Sequence, residues 1–163
     1  MKGVDCRGEI LESFGGAGYI EDTGLPVLLR DSQVLPIWEG TTNVLALDTL
    51  RALGIRSTSE DGLEVLLSSV RKWLESIRNP RLINAGRTAM SALEHASRWL
   101  LEANNLEGGA RRFAITVGRA VELALLVRHA QWSADHEEDE VATGAAYRFA
   151  QSGIDVVIDQ PSA

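Results

Sequence analysis

Hydrophobic residues recur at helical spacing through most of this chain. In the clearest run, apolar residues return every three or four positions: Leu63, Leu66, Leu67, Val70, Leu74 and Ile77. This period places them on one side of an α-helix. A capping-box pattern at residues 57 to 60 precedes the run, and Asn79-Pro80 follows it. The pattern therefore predicts a helix that opens at residue 57 and closes before Pro80.

Three more helical runs follow, separated by short breaks. Pro80 suits the first position of the second helix. We expect Asn104-Asn105 and Gly108-Gly109 to interrupt the chain before the third helix, and the fourth to begin in the acidic run after Asp135. Their apolar positions are Ile83, Met90, Leu93, Ala96 and Leu100, then Phe113, Val117, Ala120, Val121, Ala124 and Trp132, then Val141, Ala145, Phe149 and Val156. Because the connections are short, we predict an antiparallel four-helix bundle over residues 57 to 158.

The first third of the chain has a less regular pattern. Residues 3 to 14 resemble the end of a helix, and Gly15-Gly16 would stop it. Residues 15 to 40 are rich in glycine and proline, which predicts an ordered loop with one short helix near Asp31. We expect an Arg30-Asp31 ion pair to fix this loop. No segment has the pattern of a strand, so the fold class is predicted to be all-α.

A further helix is predicted to start near Thr41 and to end at Gly54. Its apolar residues would bury one side: Val44, Leu47 and Leu50.

Charge and composition narrow the range of partners. The chain has 163 residues, is 45% hydrophobic and carries a net charge of -7. Residues 57 to 163 contain eleven Arg and Lys against fifteen Asp and Glu. Binding to duplex DNA needs clustered positive charge, so we do not expect DNA as a partner. No secretory signal or stretch of ~20 apolar residues is present, which favours the cytoplasm and no membrane contact.

Few residues could bind a metal. Cys6 is the only cysteine, and His136 to Asp139 form the only metal-like cluster. Consecutive residues on a helix do not converge on one ion, so we expect no metal site.

Three short motifs in the first third appear in a characteristic order. They are Phe14-Gly-Gly-Ala-Gly-Tyr19, Leu29-Arg-Asp-Ser32 and Trp38-Glu-Gly-Thr-Thr-Asn43. This order resembles the final catalytic segment of the acyl-CoA dehydrogenase superfamily. The wider run over residues 35 to 51 resembles the adaptive-response, AidB-like branch most. The resemblance implies that residues 1–56 end the C-terminal catalytic segment and that residues 57–163 form a helical bundle extension.

Glu39 is the catalytic candidate that the resemblance implies. Acyl-CoA dehydrogenation needs a base for the α-proton of a thioester while the β-hydride leaves for the flavin. A carboxylate suits this role when an apolar pocket raises its pKa, and Pro36, Ile37 and Trp38 would supply that pocket. Trp38 and Gly40 would lie beside the substrate. The alternative is that Glu39 caps the helix that begins at Thr41.

The resemblance also implies an FAD site. Thr41 and Asn43 would face the flavin from a helix N-terminus. A second group would touch the adenosine end of FAD held by a neighbouring subunit, which implies a homo-oligomer: Glu12, Ser13, Phe14, Gly15 and Gly16. For the glycines, the alternative is a plain helix stop and turn.

The function implied is that of a C-terminal part of an FAD-dependent acyl-CoA dehydrogenase. Its partners would be an acyl-CoA substrate and an electron acceptor flavoprotein. The upstream domains of this family make most flavin and CoA contacts, so we expect this chain alone to be inactive and to lack FAD. The alternatives are a helical self-association module, or an AidB-like alkylation-response protein with DNA association.

Overall fold

The computed structural model describes residues 2–34, 37–38, 40–53, 62–137 and 140–159, with residues 2–7 described by their backbone alone. Helices account for most of these residues and no strand occurs among them, which confirms the all-α prediction. The chain forms two compact units, Met1–Leu45 and Ala46–Ala163. Among the described helices, none is long and apolar enough to cross a membrane.

The first unit contains two short α-helices joined by two 3₁₀ turns. Helix α1 is Lys2–Ser13 and α2 is Leu25–Val34, and they pack against each other. The 3₁₀ turns are Gly15–Gly18 and Glu21–Thr23. The short helix predicted near Asp31 within residues 15 to 40 is therefore present as α2, which has ten residues. It begins one residue before Pro26, because proline is tolerated in the first turn of a helix.

Helix α3 is Thr42–Ala52, as the predicted start near Thr41 implied. The boundary between the two units falls inside this helix. Ala46 and Leu50 are buried, whereas Val44 is half exposed, so the predicted burial of Val44 is wrong. The predicted helix end at Gly54 and the capping box at residues 57 to 60 lie outside the described residues.

Four helices form the second unit together with the end of α3. They are α4 (Gly62–Leu74), α5 (Pro80–Glu102), α6 (Leu106–His136) and α7 (Val141–Ala150). The long helices α5 and α6 pack side by side, and both α4 and α7 pack against this pair. Short connections between consecutive helices make neighbours antiparallel. The predicted four-helix architecture is therefore present within the described residues.

Small residues dominate the buried face of the central pair. On α5 the buried small residues are Ala85, Gly86, Ala89, Ala92 and Ala96, and on α6 they include Ala110, Ala120, Ala124 and Ala130. Small side chains let two helix axes approach closely. Of the larger side chains that the hydrophobic pattern favoured on α5, Leu93 is fully buried, whereas three are partly buried and pack against the core: Ile83, Met90 and Leu100.

Two asparagines set the starts of the long helices. The side chain of Asn79 accepts a hydrogen bond from Arg81 N at 2.9 Å, and Pro80 is the first residue of α5, as predicted. The side chain of Asn105 accepts from Gly108 N at 2.9 Å, so α6 already begins at Leu106. Such caps satisfy backbone donors that the first turn leaves free.

The predicted break at Gly108-Gly109 is therefore wrong. Gly109 is buried inside α6, and a Cβ atom there would lie 2.0 Å from Cζ2 of Trp99. The indole of Trp99 stacks on Phe113 with ring centroids 5.6 Å apart. Gly109 thus makes room for an aromatic ring from α5. Packing between helices, and not a turn of the backbone, explains why this position is a glycine.

The fourth helix also differs from its prediction. Helix α6 continues through Asp135 to His136, and α7 does not start until Val141. Helix α7 ends at Ala150, so Val156 lies after this helix in a segment without regular structure. Glu138 and Asp139 lie outside the described residues.

The buried Gln131 of α6 fixes the connection between α4 and α5. Its Oε1 accepts hydrogen bonds from Arg78 N at 2.8 Å and Asn79 N at 3.1 Å. Its Nε2 donates to Asp135 Oδ1 at 2.9 Å, and Asp135 also binds the Arg78 guanidinium at 2.8 Å. One side chain thereby satisfies two backbone donors of a loop that is remote in sequence.

Gly109→Ala should destabilise the chain by about 1 to 3 kcal/mol, because the methyl group would collide with the stacked indole of Trp99. Gly118→Ala is the matched control on the same helix, since a Cβ there meets nothing within 4 Å. The control should be neutral or should stabilise the chain by up to ~1 kcal/mol through helix propensity. Urea unfolding measures both; a Gly109→Ala variant as stable as the control would contradict this packing.

Candidate functional site

The glycine-rich turn follows α1 directly. Ser13 Oγ donates to Ile10 O at 2.6 Å and Phe14 N donates to Leu11 O at 3.1 Å, which closes the last turn of the helix. Gly15 has φ +57°, in the left-handed region that favours glycine. A Cβ on Gly18 would lie 2.2 Å from the carbonyl oxygen of Leu11. Two of the glycines are therefore required by the backbone itself.

The predicted adenosine-side group is continuous and exposed. Its members span the end of α1 and the start of the 3₁₀ turn: Glu12, Ser13, Phe14, Gly15 and Gly16. The Glu12 carboxylate forms no ion pair with any described residue. The ring of Phe14 also lines an apolar cavity of about 440 Å³ between α1 and α2, which the sequence pattern did not indicate.

The cavity walls come from both helices of the first unit. Its lining residues are Ile10, Leu11, Phe14, Leu25, Leu28, Leu29, Asp31 and Ser32. The sequence pattern did not indicate that Ile10-Leu11 and Leu28-Leu29 line the same cavity, because this depends on how α1 packs against α2.

Thr23 holds the two 3₁₀ turns together. Its hydroxyl donates toward Ala17 O at 2.8 Å and Ile20 O at 2.9 Å, and it accepts from Leu25 N at 3.3 Å. A single side chain thus connects the glycine turn to the first residue of α2.

Arg30 forms its ion pair with Glu21, so the predicted Arg30-Asp31 pair is wrong. The guanidinium donates twice, with Nη1 to Oε1 and Nη2 to Oε2 both at 2.9 Å. Neighbouring residues on a helix point in different directions, whereas Glu21 presents both of its oxygens to the planar guanidinium. The hydrogen bonds from Arg30 lower the pKa of the Glu21 carboxyl.

The second predicted group follows α2. Ile37 N and Trp38 N both donate to Val34 O, at 2.9 and 3.1 Å, and Gly40 N donates to Ile37 O at 3.3 Å. Gly40 has φ +122°, a conformation that residues with a side chain rarely adopt. The glycine of this motif therefore makes a turn that redirects the backbone into α3.

Thr41 occupies the N-cap position of α3. Its carbonyl accepts the hydrogen bond from Leu45 N at 3.0 Å, and α3 begins at the next residue. Thr41 and Asn43 are both exposed. The N-terminus of a helix presents unpaired amide donors and a positive dipole end, so this turn can bind an anionic or electron-rich group.

Glu39 lies outside the described residues, as does Pro36, so the role of Glu39 stays a prediction. Two of the residues predicted to supply its apolar pocket are described, and the side chains of Ile37 and Trp38 are 64% and 65% exposed.

The structure groups the predicted residues into two turns of the first unit. Residues 12 to 16 follow one helix, and Trp38, Gly40, Thr41 and Asn43 precede another. Within the described residues, no hydrogen bond joins these two groups. The first unit therefore presents two separate exposed turns, each shaped by glycine.

The described residues thus combine an exposed glycine turn, an exposed helix N-terminus and an all-helical second unit. Two family models match consecutive parts of the chain: "Acyl-CoA dehydrogenase, C-terminal domain" over residues 2–54, and "Acyl-CoA dehydrogenase 11 C-terminal domain-like" over residues 61–162. The second match covers more than half of the chain, so the chain belongs to the acyl-CoA dehydrogenase 11 C-terminal domain-like family.

Individual relatives agree with this assignment. Acyl-CoA dehydrogenase family member 11 of Caenorhabditis elegans is 36% identical over 94% of this chain and 26% of its own length. AidB of Escherichia coli (strain K12) is 44% identical over 32% of this chain and 10% of its own length. The AidB likeness is thus limited to about the first third. The chain spans about a quarter of the length of the C. elegans relative.

A solved structure shows the same fold. The crystal structure of C. elegans ACDH-11 in complex with C11-CoA superposes with a TM-score of 0.84 and 35% identity, over 95% of this chain and 27% of that one. The superfamily assignment and the all-helical fold predicted from the sequence are therefore confirmed.

Gly18→Ala should loosen the glycine turn, because the added methyl group would collide with the Leu11 carbonyl. We expect a cost of ~2 kcal/mol, which corresponds to roughly 30-fold faster hydrogen exchange at the amides of Tyr19 and Ile20. Gly16→Ala is the matched control, since a Cβ there meets nothing within 4 Å. Equal exchange rates in the two variants would show that the close approach at Gly18 is unimportant.

Proposed function

We propose that this chain is the C-terminal part of an FAD-dependent acyl-CoA dehydrogenase, with residues 1–56 ending the catalytic segment and residues 57–163 forming a bundle extension. The observation that carries the proposal is the match to the C. elegans enzyme, which extends through both units at 36% identity. The two family models support the division, because one ends at residue 54 and the next begins at residue 61.

The substrate we propose for the parent protein is an acyl-CoA thioester. The C. elegans relative was crystallised with C11-CoA, which supports this substrate class. We further propose that a flavoprotein accepts the electrons, and that the parent acts in fatty acid metabolism in the cytoplasm. The acidic composition and single cysteine fit that compartment.

The described residues fit FAD at one turn better than at the other. The first turn of α3 suits an electron-rich ring edge, because Thr41 and Asn43 are exposed there beside free amide donors. At the glycine turn, the Glu12 carboxylate has no described cationic partner and would repel a diphosphate. Ser13, Phe14, Gly15 and Gly16 offer neutral contacts to the adenosine end instead.

In the parent, FAD would supply the acceptor for the β-hydride of the substrate. Glu39 would remove the α-proton of the thioester as general base. Gly40 has no side chain and a positive φ, so its backbone is open to the close approach of an acyl group. Trp38 presents an exposed indole next to that position. The chain alone would be inactive, because these groups represent only part of such a site.

Glu39→Gln in the full-length parent should lower the rate of flavin reduction by an acyl-CoA ~10²-fold or more, because the amide cannot accept the α-proton. FAD should stay bound, since the base acts on the acyl chain. Rapid-mixing absorbance at the flavin band measures the rate, and protein-bound flavin absorbance measures occupancy.

Glu9→Gln provides the control for this experiment, because Glu9 is an exposed glutamate of α1 outside both turns. It should reduce flavin at the wild-type rate. The helix-cap alternative for Glu39 predicts the opposite pattern: a loss of ~1 kcal/mol of stability with the reduction rate unchanged. An unchanged rate in a folded Glu39→Gln protein would remove Glu39 as the base.

A second candidate function, self-association, is favoured by the apolar surface of the first unit. Several large hydrophobic side chains are exposed on its 45 residues, among them Phe14, Tyr19, Leu28, Ile37 and Trp38. Large exposed apolar patches mark interfaces in soluble proteins. We propose that a second copy of the chain covers part of this surface in a homo-oligomer.

The chain should be a dimer or larger at ~100 µM, because a specific interface has a dissociation constant well below that concentration. Leu28→Lys should shift it toward monomer by placing a charge on the apolar surface. Leu101→Lys is the control, since Leu101 is exposed on α5 in the other unit. Light scattering measures the mass, and a wild-type monomer at this concentration would refute the proposal.

A further inference from the structure

The segment after α7 follows an irregular path along the second unit. Residues 153–159, named here the C-terminal strap, contain no helix. Gly153 has φ +74°, which turns the chain after α7. Ile154 is buried in the core. The strap is therefore a packed part of the unit, although the sequence pattern had assigned it to the fourth helix.

The first half of the strap is held by groups that keep their charge state across neutral pH. Arg119 Nη1 donates to Gly153 O at 2.5 Å. The buried hydroxyl of Thr116 accepts from Val156 N at 2.9 Å. Together with the burial of Ile154, these contacts fix residues 153–156 on α6 at any pH near neutrality.

One histidine of α5, His95, contacts a carboxylate in each half of the strap. His95 Nδ1 lies 2.5 Å from Asp155 Oδ2, and His95 Nε2 lies 2.8 Å from Asp159 Oδ1. A neutral imidazole carries one N–H and can donate to only one carboxylate. Both contacts together therefore require the imidazolium, with a proton on each ring nitrogen.

The charges around His95 favour that imidazolium. The hydrogen bonds to Asp159 and then Asp155 raise the pKa of His95, and partial burial opposes them. The His95 side chain is 20% exposed. Several charged or titratable side chains on α5, α6 and α7 make no described contact with the imidazole ring. They are Glu94 and Arg98 on α5, Arg119 on α6, and Tyr147 and Arg148 on α7.

The two carboxylates differ in how firmly they are held. Asp155 Oδ1 also accepts from Val157 N at 3.0 Å and lies 3.5 Å from Thr116 Oγ1. Asp159 is 79% exposed, and His95 is its described partner. When the ring loses one proton, the remaining N–H therefore stays with Asp155, and Asp159 faces an unprotonated nitrogen.

We propose that residues 158–159 form a pH-operated latch, closed while His95 bears a proton on both ring nitrogens and open when Nε2 loses its proton. Opening releases Asp159 and uncovers the Nε2 edge of His95, while residues 153–157 stay in place, since Val157 N remains bound to Asp155 and its side chain packs against the core. The latch is thus a local switch within a unit that remains folded.

The direction of the pH dependence follows from linkage. The pKa of His95 is raised in the folded chain above its ordinary value of 6.5. The stabilisation is fully present below 6.5 and is lost as the pH rises through the folded pKa. The latch is therefore closed in mildly acidic solution and opens on the alkaline side.

The test uses NMR spectroscopy of the full 163-residue chain between pH 6 and 9. In the wild type, the His95 ring should titrate above 6.5, and the backbone order of residues 158–159 should fall with the same midpoint. Asp159→Ala, which leaves no hydrogen-bonding group at this position, should move the His95 midpoint down toward 6.5 and leave residues 158–159 mobile at every pH. His95→Gln should abolish the pH dependence of the strap.

The control is His136→Gln, which changes an exposed histidine of α6 that accepts no strap contact. It should leave the strap titration unchanged. The proposal is overturned if His95 titrates at or below 6.5, if the strap stays equally ordered from pH 6 to 9, or if its midpoint differs from that of the ring. Because Asp159 is exposed, its variant keeps the test valid even if His95→Gln fails to fold.

Discussion

The close contact between α5 and α6 supports the rest of the second unit. Alanine and glycine on both helices allow the approach, and Gly109 admits the indole of Trp99 between them. Helices α4 and α7 pack against this pair. Gln131 of α6 accepts hydrogen bonds from the backbone of the α4–α5 connection, and the C-terminal strap contacts His95 of α5 and Thr116 of α6. Each of these contacts needs the two long helices at a fixed separation, because side-chain hydrogen bonds tolerate little change in distance.

The first unit is organised by its backbone turns more than by a core. Glycine at positions 15, 18, 24 and 40 allows the chain to change direction, and Thr23 and the Arg30–Glu21 pair hold the turns in place. Much of its apolar surface remains exposed. The two units thus differ in construction: the first presents turns and exposed apolar side chains, and the second is a packed helical bundle.

Sequence reasoning succeeded where local physical chemistry decides the structure. Apolar spacing predicted α4 and α5, and Asn79-Pro80 predicted the start of α5, because caps and periodicity act within a few residues. Sequence reasoning failed where a residue distant in the sequence decides the local structure. Gly108-Gly109 suggested a break, yet Gly109 is explained by a tryptophan ten positions earlier on another helix. Ile83 and Met90 pack against the core but are only partly buried, whereas Ala85, Ala89 and Ala92 of the same helix are buried.

The sequence by itself determined the helical class, the order of most helices, the family, and the two glycine turns that carry the candidate flavin and substrate residues. Only the tertiary structure decided that Arg30 binds Glu21, that α1 and α2 line an open apolar cavity, and that His95 joins Asp155 and Asp159. The physical reason is the sequence separation between the residues that interact. Periodicity, caps and left-handed glycines are written in neighbouring residues, whereas ion pairs between elements depend on where packing brings chain segments 60 residues apart.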